Sequence, residues 1–318
     1  MTLPDRRPRI AVLIPCFNEA LTVASVVSDF KASLPDAFIY VYDNNSDDGT
    51  ASAARDAGAI VRHEGRQGKG SVVRRMFADI DAEIYLLVDG DDTYDANAAS
   101  HLVNELCRGP FDMVNGARKA GSISAYRAGH ALGNIALTSL VRLIFGAGTK
   151  DMLSGYKALS RRYVKSFPAT STGFEIETEL VVHALELKMP ISEIDTIYDE
   201  RPEGSQSKLK TFRDGFRILR LIGFLVKEER PLFFFSTAAF VLSIISVAAG
   251  TPLIIEFIET GLVPRVPTAI LASGLMLAAL LALSCGVILD SVTRGRREIK
   301  RLRYLEFSPP SLGHKKFG

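Results

Sequence analysis

From Arg9 onward, short β-rich apolar runs alternate with longer stretches of helical period. The runs read IAVLIP, FIYVY, AIVRH, IYLLV and DMVNGAR, and helical patterns begin near Glu19, Thr50, Gly70 and Asn97. Strand and helix in alternation predict an α/β fold, a mostly parallel sheet covered on both faces. In such sheets ligands bind beyond the carboxyl ends of the strands. That rule collects the polar segments in one crevice: PCFNE (Pro15 to Glu19) after the first strand, DNNSDDGT (Asp43 to Thr50) after the second, EGRQGKG (Glu64 to Gly70) after the third, and an acidic run after the fourth.

The pattern changes in the last third of the chain. Leu232 to Ile255 and Val266 to Leu289 hold no charged residue, and as helices each would extend about 36 Å, enough to cross a bilayer with some tilt. Arg217, Arg220, Lys227 and Arg230 precede the first span, a basic tail follows the second, and the connector carries Glu256, Glu259 and Arg265. The positive-inside tendency puts both termini in the cytosol and the connector outside, a transmembrane hairpin. Just before it, Lys210, Arg213, Arg217 and Arg220 recur at three or four residues, with Phe212, Phe216, Leu219 and Ile222 on another face. Such a helix either lies in the headgroup layer or packs on the preceding domain. The expected organisation is a catalytic domain over 1–207, an amphipathic juxtamembrane helix over 208–230, a hairpin over 231–290 (spans about 232–255 and 266–289), and a basic tail over 291–318.

Composition adds less. The 318 residues, 47% hydrophobic, allow a full core, and the net charge of +2 matters mainly through its distribution. Arg294, Arg296, Arg297, Lys300, Arg301, Arg303, Lys315 and Lys316 make the tail basic, which suggests a surface that meets something anionic. Cys16, Cys107 and Cys285 are few, distant and odd in number. They offer neither zinc spacing nor a disulfide framework, fit a reducing compartment, and read as structural. The N-terminal apolar run, Ile10 to Ile14, is too short for a cleaved signal peptide. No nucleic-acid partner is expected.

The acidic run IYLLVDGDDTYD releases Asp89, Asp91, Asp92 and Asp95 within seven positions. Carboxylates that close raise one another's pKa unless a positive group sits among them. A divalent metal shared with substrate phosphates is the simplest such group, and Asp89 and Asp91, two apart at a strand end, are the candidate ligands. A solvated acidic turn is the alternative on spacing alone. An EF-hand fails, since Tyr94 and Ser100 stand where Gly and Glu are needed, and GRQGKGS lacks the Walker spacing.

In order, IPCFNEA, VYDNNSDDGT, GKG, VDGDD, DMLSGYKALSR and RPEGSQSKL, ahead of a hairpin, resemble a family 2 glycosyltransferase of the GT-A fold. The nearest likeness is to the polyprenyl-phosphate glycosyltransferases, the group that includes dolichol-phosphate mannose synthase and the bactoprenol glucosyltransferases. The resemblance spans roughly residues 9 to 230 as ordered motifs. It implies that Pro15, Asn18, Glu19 and Asp43 line the nucleotide pocket, with Asp43 accepting a hydrogen bond from the base. Gly68 and Gly70 would let the backbone pass close to the nucleoside, and Lys69 stands either at a phosphate or in a surface salt bridge. Asp89 and Asp91 would hold Mg2+ or Mn2+ on the donor diphosphate. Arg118, Arg201, Ser207 and Lys208 match anion-binding positions for acceptor phosphate or donor diphosphate. Asp151 and Ser154 to Tyr156 resemble the acceptor side of the site, and Asp91 and Asp151 are the residues given catalytic roles, Asp151 by orienting the site. Of Glu175, Glu177 and Glu179, the first and third share a helix face and Glu177 points elsewhere, so at least one is expected in solvent.

Two departures stand out. Arg201 and Gly204 are followed by Ser205, Gln206, Ser207 and Lys208, one residue more than the family ending, so either serine stands at the phosphate. Asn44 and Asn45 replace the usual acidic and small pair, which leaves the nucleobase open. The resemblance implies inverting transfer of one sugar from a donor of the UDP-glucose or GDP-mannose type to polyprenyl phosphate, at the cytosolic face of a bacterial inner membrane, by a homo-oligomer. A processive polysaccharide synthase is disfavoured because the chain lacks the tryptophan of its acceptor motif, having none at all. A non-catalytic scaffold would have lost the metal carboxylates, which are present.

Overall fold

In the structure, a computed structural model that describes residues 8–120, 149–168, 173, 175–199, 223–224 and 226–310, the five apolar runs become β1 (Ile10–Cys16), β2 (Phe38–Asp43), β3 (Ile60–His63), β4 (Ile84–Leu87) and β5 (Met113–Ala120). Two further strands, β6 (Lys157–Ser160) and β7 (Ile191–Tyr198), complete a sheet ordered β3-β2-β1-β4-β6-β5-β7. Only β6 runs against its neighbours β4 and β5; the remaining pairs are parallel. The central strands read as unbroken apolar runs because both their faces are covered: Ile10 to Ile14 and Ile84 to Leu87 are all buried.

The helices are α1 (Val23–Ser33), α2 (Thr50–Asp56), α3 (Lys69–Asp79), α4 (Ala98–Arg108), α5 (Arg161–Ser166) and α6 (Ile176–Glu186). α1 buries Val23, Val26, Val27 and Phe30, and α4 buries Ala99, Leu102, Val103 and Leu106. Both sets follow the i, i+3, i+4, i+7 stripe of a helix laid on a sheet. The pattern beginning near Glu19 starts as a turn, with the Glu19 carbonyl accepting from Thr22 N and Val23 N, and regular helix begins at Val23. Cys16 is buried, and all three cysteines are free thiols.

The chain divides into two compact units, Met1–Ile218 with Lys300–Gly318, and Leu219–Ile299. Two helices dominate the second unit: α7 (Pro231–Thr260) and α8 (Val266–Leu305), whose last turns belong to the first. At 30 and 40 residues they extend about 45 and 60 Å, and both are long and apolar enough to cross a membrane. Ala239, Ser246 and Leu253 on α7 are buried, as are Ala272, Ala279, Gly286 and Thr293 on α8. Each set recurs every seven residues, the seam of two helices wound together, and its small side chains let the backbones approach. Ser246 Oγ donates across it to the Ala272 carbonyl at 2.7 Å. The large apolar side chains, among them Phe240, Ile258, Ile270 and Ile288, face outward.

The basic tail differs from its expectation. Residues 291–305 continue α8, and several of the cations meet carboxylates of this chain: Arg294 with Asp290, Arg296 with Glu228, Lys300 with Glu186, and Arg303 with Glu306. Tyr304 donates to Asp112 Oδ2 at 2.8 Å. Glu256 and Glu259 lie within α7, and Arg265 closes back on Glu256 at 2.8 Å. The juxtamembrane segment 208–222 lies outside the described residues.

Within the first unit, His183 on α6 is buried against the rings of Tyr163 and Phe167. Its Nε2 lies 3.1 Å from Ser166 Oγ, while Nδ1 has no hydrogen-bond partner among the described residues. Burial, reinforced by the Lys300 charge, pushes its pKa from 6.5 down to about 3. The unfolded chain therefore takes up this proton first, so stability declines as pH falls below 6.5 and goes on declining to about 3. Urea unfolding is expected to weaken by up to about 1.4 kcal/mol per pH unit in that window from this group. His183→Gln should remove that slope. Equal slopes in the two proteins would mean that other groups set the acid sensitivity.

Candidate active site

The sheet topology brings the polar motifs to one edge. β1, β2, β3 and β4 are parallel, so the segments that follow them emerge together, and the strand order switches direction at β1 and β4, where such sheets form their crevice. β6 contributes through its reversal. Lys157, its first residue, pairs with Leu87, the last of β4, and the preceding segment Asp151 to Tyr156 therefore arrives where Asp89 leaves the sheet. Arg118 and Thr196 are register partners near the same ends of β5 and β7.

Side chains stitch these segments together. Asn18 N donates to Ser46 Oγ at 2.9 Å, and Asn18 Oδ1 accepts from Asp47 N at 3.1 Å. Glu19 N donates to Thr50 Oγ1 at 2.8 Å, and Thr22 Oγ1 donates to the Gly90 carbonyl at 2.6 Å. The Asn44 amide donates to the carbonyls of Glu64 and Arg66 and accepts from Gly68 N at 2.7 Å. Asn44 thus binds the β3 loop to the β2 loop, work that a carboxylate, with no N–H to donate, could not do. Gly68 precedes α3 with φ of 121°, a conformation open to glycine. Gly70 is buried in the first turn of α3, and Pro15 pairs with Tyr42 in the sheet. Asn18, Asn45 and Asp92 also have positive φ, at 52°, 65° and 57°. Backbone strain is thereby concentrated on this rim, as it commonly is at functional sites.

Asp43, at the end of β2, is buried. Its Oδ2 accepts from Ser46 N at 3.3 Å and lies 3.6 Å from His63 Nδ1. Oδ1 has no hydrogen-bond partner among the described residues. A buried acceptor left open in this way costs on the order of 1–3 kcal/mol.

The acidic run separates into different roles, which resolves its apparent self-repulsion. Asp95 Oδ1 accepts from Asn97 N at 2.9 Å ahead of α4, Asp91 Oδ1 accepts from Thr93 Oγ1 at 2.7 Å, and burial raises the Asp92 pKa. The positive group beside Asp89 is Lys69. Its ammonium contacts both Asp89 Oδ1 and Glu177 Oε1. Lys69 is therefore engaged inward by two carboxylates, not in a surface salt bridge. Burial alone would lower its pKa, but the two carboxylates outweigh burial and raise it. Burial raises the Glu177 pKa, with Lys69 opposing.

Glu177 corrects the helix-face expectation. Both Glu177 and Glu179 are buried on α6, Glu175 is partly buried, and the one set apart from the shared face is the one that reaches the site. Gly155, within the Ser154 to Tyr156 stretch expected on the acceptor side, lies against Asp89. A Cβ there would lie 2.4 Å from Asp89 Oδ2, so the backbone passes directly against the carboxylate. Gly155 N donates to Tyr94 Oη at 2.8 Å, and Tyr94 packs on Tyr156 and Tyr198.

Asp151 and Arg118 form a forked pair, Nε to Oδ2 at 2.7 Å and Nη2 to Oδ1 at 2.8 Å, with Arg118 N adding a third bond. Burial would raise the Asp151 pKa, but the Arg118 bonds prevail and hold it below the usual carboxylate range. Arg118, expected to bind phosphate, thus presents this fork to a carboxylate, and its guanidinium lies over the Tyr198 ring. Buried Lys157 donates to Asn115 Oδ1 and the Ser154 carbonyl, both at 2.7 Å, and burial pushes its pKa down to about 8. Arg201, Ser207 and Lys208 lie outside the described residues.

The donor set suits a hard divalent cation. Asp89 and Asp91 would supply two carboxylates, and among the described residues no group of three His, Cys, Asp or Glu side chains could hold a metal. Further ligands would come from substrate phosphates and water, as is usual for Mg2+.

Residues 11–167 match the profile of glycosyl transferase family 2. The glycosyltransferase AglJ of Haloferax volcanii is 33% identical over 309 residues, 96% of this chain and 100% of that protein. The dolichyl-phosphate hexose transferase of the same organism is 28% identical over 222 residues, 70% of this chain and 95% of that protein. Glucosyl-3-phosphoglycerate synthase from Mycobacterium tuberculosis, solved with Mn2+, uridine diphosphate and glucosyl-3-phosphoglycerate, superposes with a TM-score of 0.56 at 24% identity, over 69% of this chain and 79% of that one. At that identity the likeness is one of fold, and it is the GT-A fold.

Proposed function

Because this chain belongs to glycosyl transferase family 2 and is a glycosyltransferase, we propose that it moves a single hexose from a nucleotide-sugar donor to a polyprenyl phosphate, with inversion at the anomeric carbon. The observation that supports this reading is that Asp43 at the end of β2, its Oδ1 without a hydrogen-bond partner among the described residues, and Asp89 and Asp91 after β4 follow parallel strands of one sheet, in a chain with two helices long and apolar enough to cross a bilayer. The relative named for dolichyl-phosphate hexose transfer supports the acceptor class.

Asp43 accepts an N–H of the nucleobase, which completes its open valence; Pro15, Asn18, Glu19, Gly68 and Gly70 shape the pocket around the nucleoside. Asp89 and Asp91 would hold Mg2+ or Mn2+, which would supply positive charge against the leaving nucleoside diphosphate. The acceptor phosphate oxygen forms the new bond to the anomeric carbon as the bond to the diphosphate breaks. That oxygen is already anionic at neutral pH, so Asp151 orients the acceptor side through Arg118 and need not take a proton. Arg201, Lys208 and one of Ser205 and Ser207 bind phosphate. The hairpin keeps the site at the cytosolic face of the inner membrane, with both termini inside, in a homo-oligomer.

The test is a transfer assay on detergent-purified protein with undecaprenyl phosphate, a panel of UDP- and GDP-sugars, and Mg2+ or EDTA. A lipid-linked monosaccharide from one donor, lost in EDTA, is the expected product. Asp91→Asn should lower turnover by about 10²–10³-fold at an unchanged unfolding temperature. Unaltered turnover would remove the metal assignment, and a panel without product would remove the acceptor.

A further inference from the structure

The Lys69 ammonium lies between two carboxylates of unequal access. The Asp89 side chain is 27% exposed and the Glu177 side chain 6%. A cation arriving from solvent therefore reaches Asp89 and not Glu177. An ammonium has three N–H donors and can serve both carboxylates at once, and while it sits on Asp89 Oδ1 a divalent cation there meets a partly neutralised ligand and a like charge close by. If Lys69 simply withdrew from Asp89 into an apolar interior, it would be a buried charge without a partner, which is strongly unfavourable. Glu177, fixed in the first turn of α6, removes that penalty.

We propose that Lys69 is a built-in counter-cation which Asp89 exchanges for the divalent metal, and that Glu177 is the positioning residue that keeps the ammonium during the exchange. The inference rests on the assignment of Asp89 to the metal made above. It assigns Glu177 a function: the enzyme without metal keeps its acidic rim neutralised, and Asp89 is released without stranding a charge.

Mn2+ binding to the full-length protein in detergent, followed by the electron paramagnetic resonance of free Mn2+, reads this directly and needs no turnover. Wild type should bind and Asp91→Asn should not. Glu177→Gln, which leaves Lys69 with Asp89 as its remaining anion of the two, should bind Mn2+ about 10-fold more weakly. The decisive protein is the charge-conserving double variant Lys69→Met with Glu177→Gln. It has the same net charge as wild type but no internal competitor, so it should bind Mn2+ about 5- to 10-fold more tightly. Lys69→Gln with Glu177→Gln serves the same purpose if the methionine version does not fold, judged by circular dichroism and thermal unfolding.

A double variant equal to wild type would mean that overall charge, not exchange, governs affinity, and would overturn the proposal. Wild-type affinity in Glu177→Gln would do the same. A wild type that binds no Mn2+ would instead bring down the metal assignment, and this inference with it; the two failures are told apart by whether wild type and Asp91→Asn differ.

Discussion

Gly155→Ala is expected to reduce sugar transfer by about 10²-fold while lowering the unfolding temperature only slightly. The added methyl would lie 2.4 Å from Asp89 Oδ2, against an ordinary contact distance of about 3.5 Å, so the carboxylate must retreat by roughly 1 Å. The neighbour that yields is the end of a side chain, so the fold absorbs the change at small cost. The site does not, because a misplacement of about 1 Å at a positioned group is worth about 10²-fold in rate. The check is turnover against Mn2+ concentration, with circular dichroism beside it. If Asp89 serves the metal, excess Mn2+ should recover part of the loss. Full activity in Gly155→Ala would mean that Asp89 is not held where the reaction needs it.

Asp151→Asn is expected to have the largest effect on stability. It leaves the Arg118 guanidinium, its fork 2.7 and 2.8 Å from the Asp151 oxygens, facing a neutral amide in a buried setting. Removing one partner of a buried pair costs about 3–5 kcal/mol, whereas replacing both by apolar groups is often nearly neutral. In a unit of this size that loss corresponds to a fall in unfolding temperature on the order of 10 °C. Arg118→Met with Asp151→Leu should therefore recover much of the stability and none of the transfer. If the double variant regained activity as well, Asp151 would be a structural anchor alone. The pair's contribution also has a defined pH window. Because the folded Asp151 pKa is depressed, its stabilisation is fully present above the unfolded value of 3.8 and is lost as pH falls through the folded one.

Where the candidate residues fall in the sheet could be read from the chain alone: Asp43 is the last residue of β2 and Asp89 and Asp91 follow β4, both strands being visible as apolar runs, and strand ends are where parallel sheets gather ligands. Lys69 and Asn44 were visible as residues, but not as what they do. Lys69 turns inward to two carboxylates, and Asn44 ties one loop to another, because their partners are distant in sequence. Glu177 stood in plain view among three glutamates. Helical spacing separates it from Glu175 and Glu179, yet says nothing of which face meets the interior.

What the sequence determined by itself is what local periodicity encodes: five of the seven strands among the described residues, the first four described helices to within a few residues, and two apolar helices whose length needs no tertiary partner to be recognised. The tertiary structure alone decided the reversed strand β6, which is four residues long and carries no pattern of its own. That reversal delivers Gly155 to Asp89. Its direction is a property of pairing between Leu87 and Lys157 across seventy positions of chain; burial and hydrogen bonding enforce such pairing only once the sheet has assembled. The same holds for the charges. An acidic run has one reading as a sequence and another in the fold, because the cation that neutralises it arrives from a different element, and electrostatic interaction depends on distance in space.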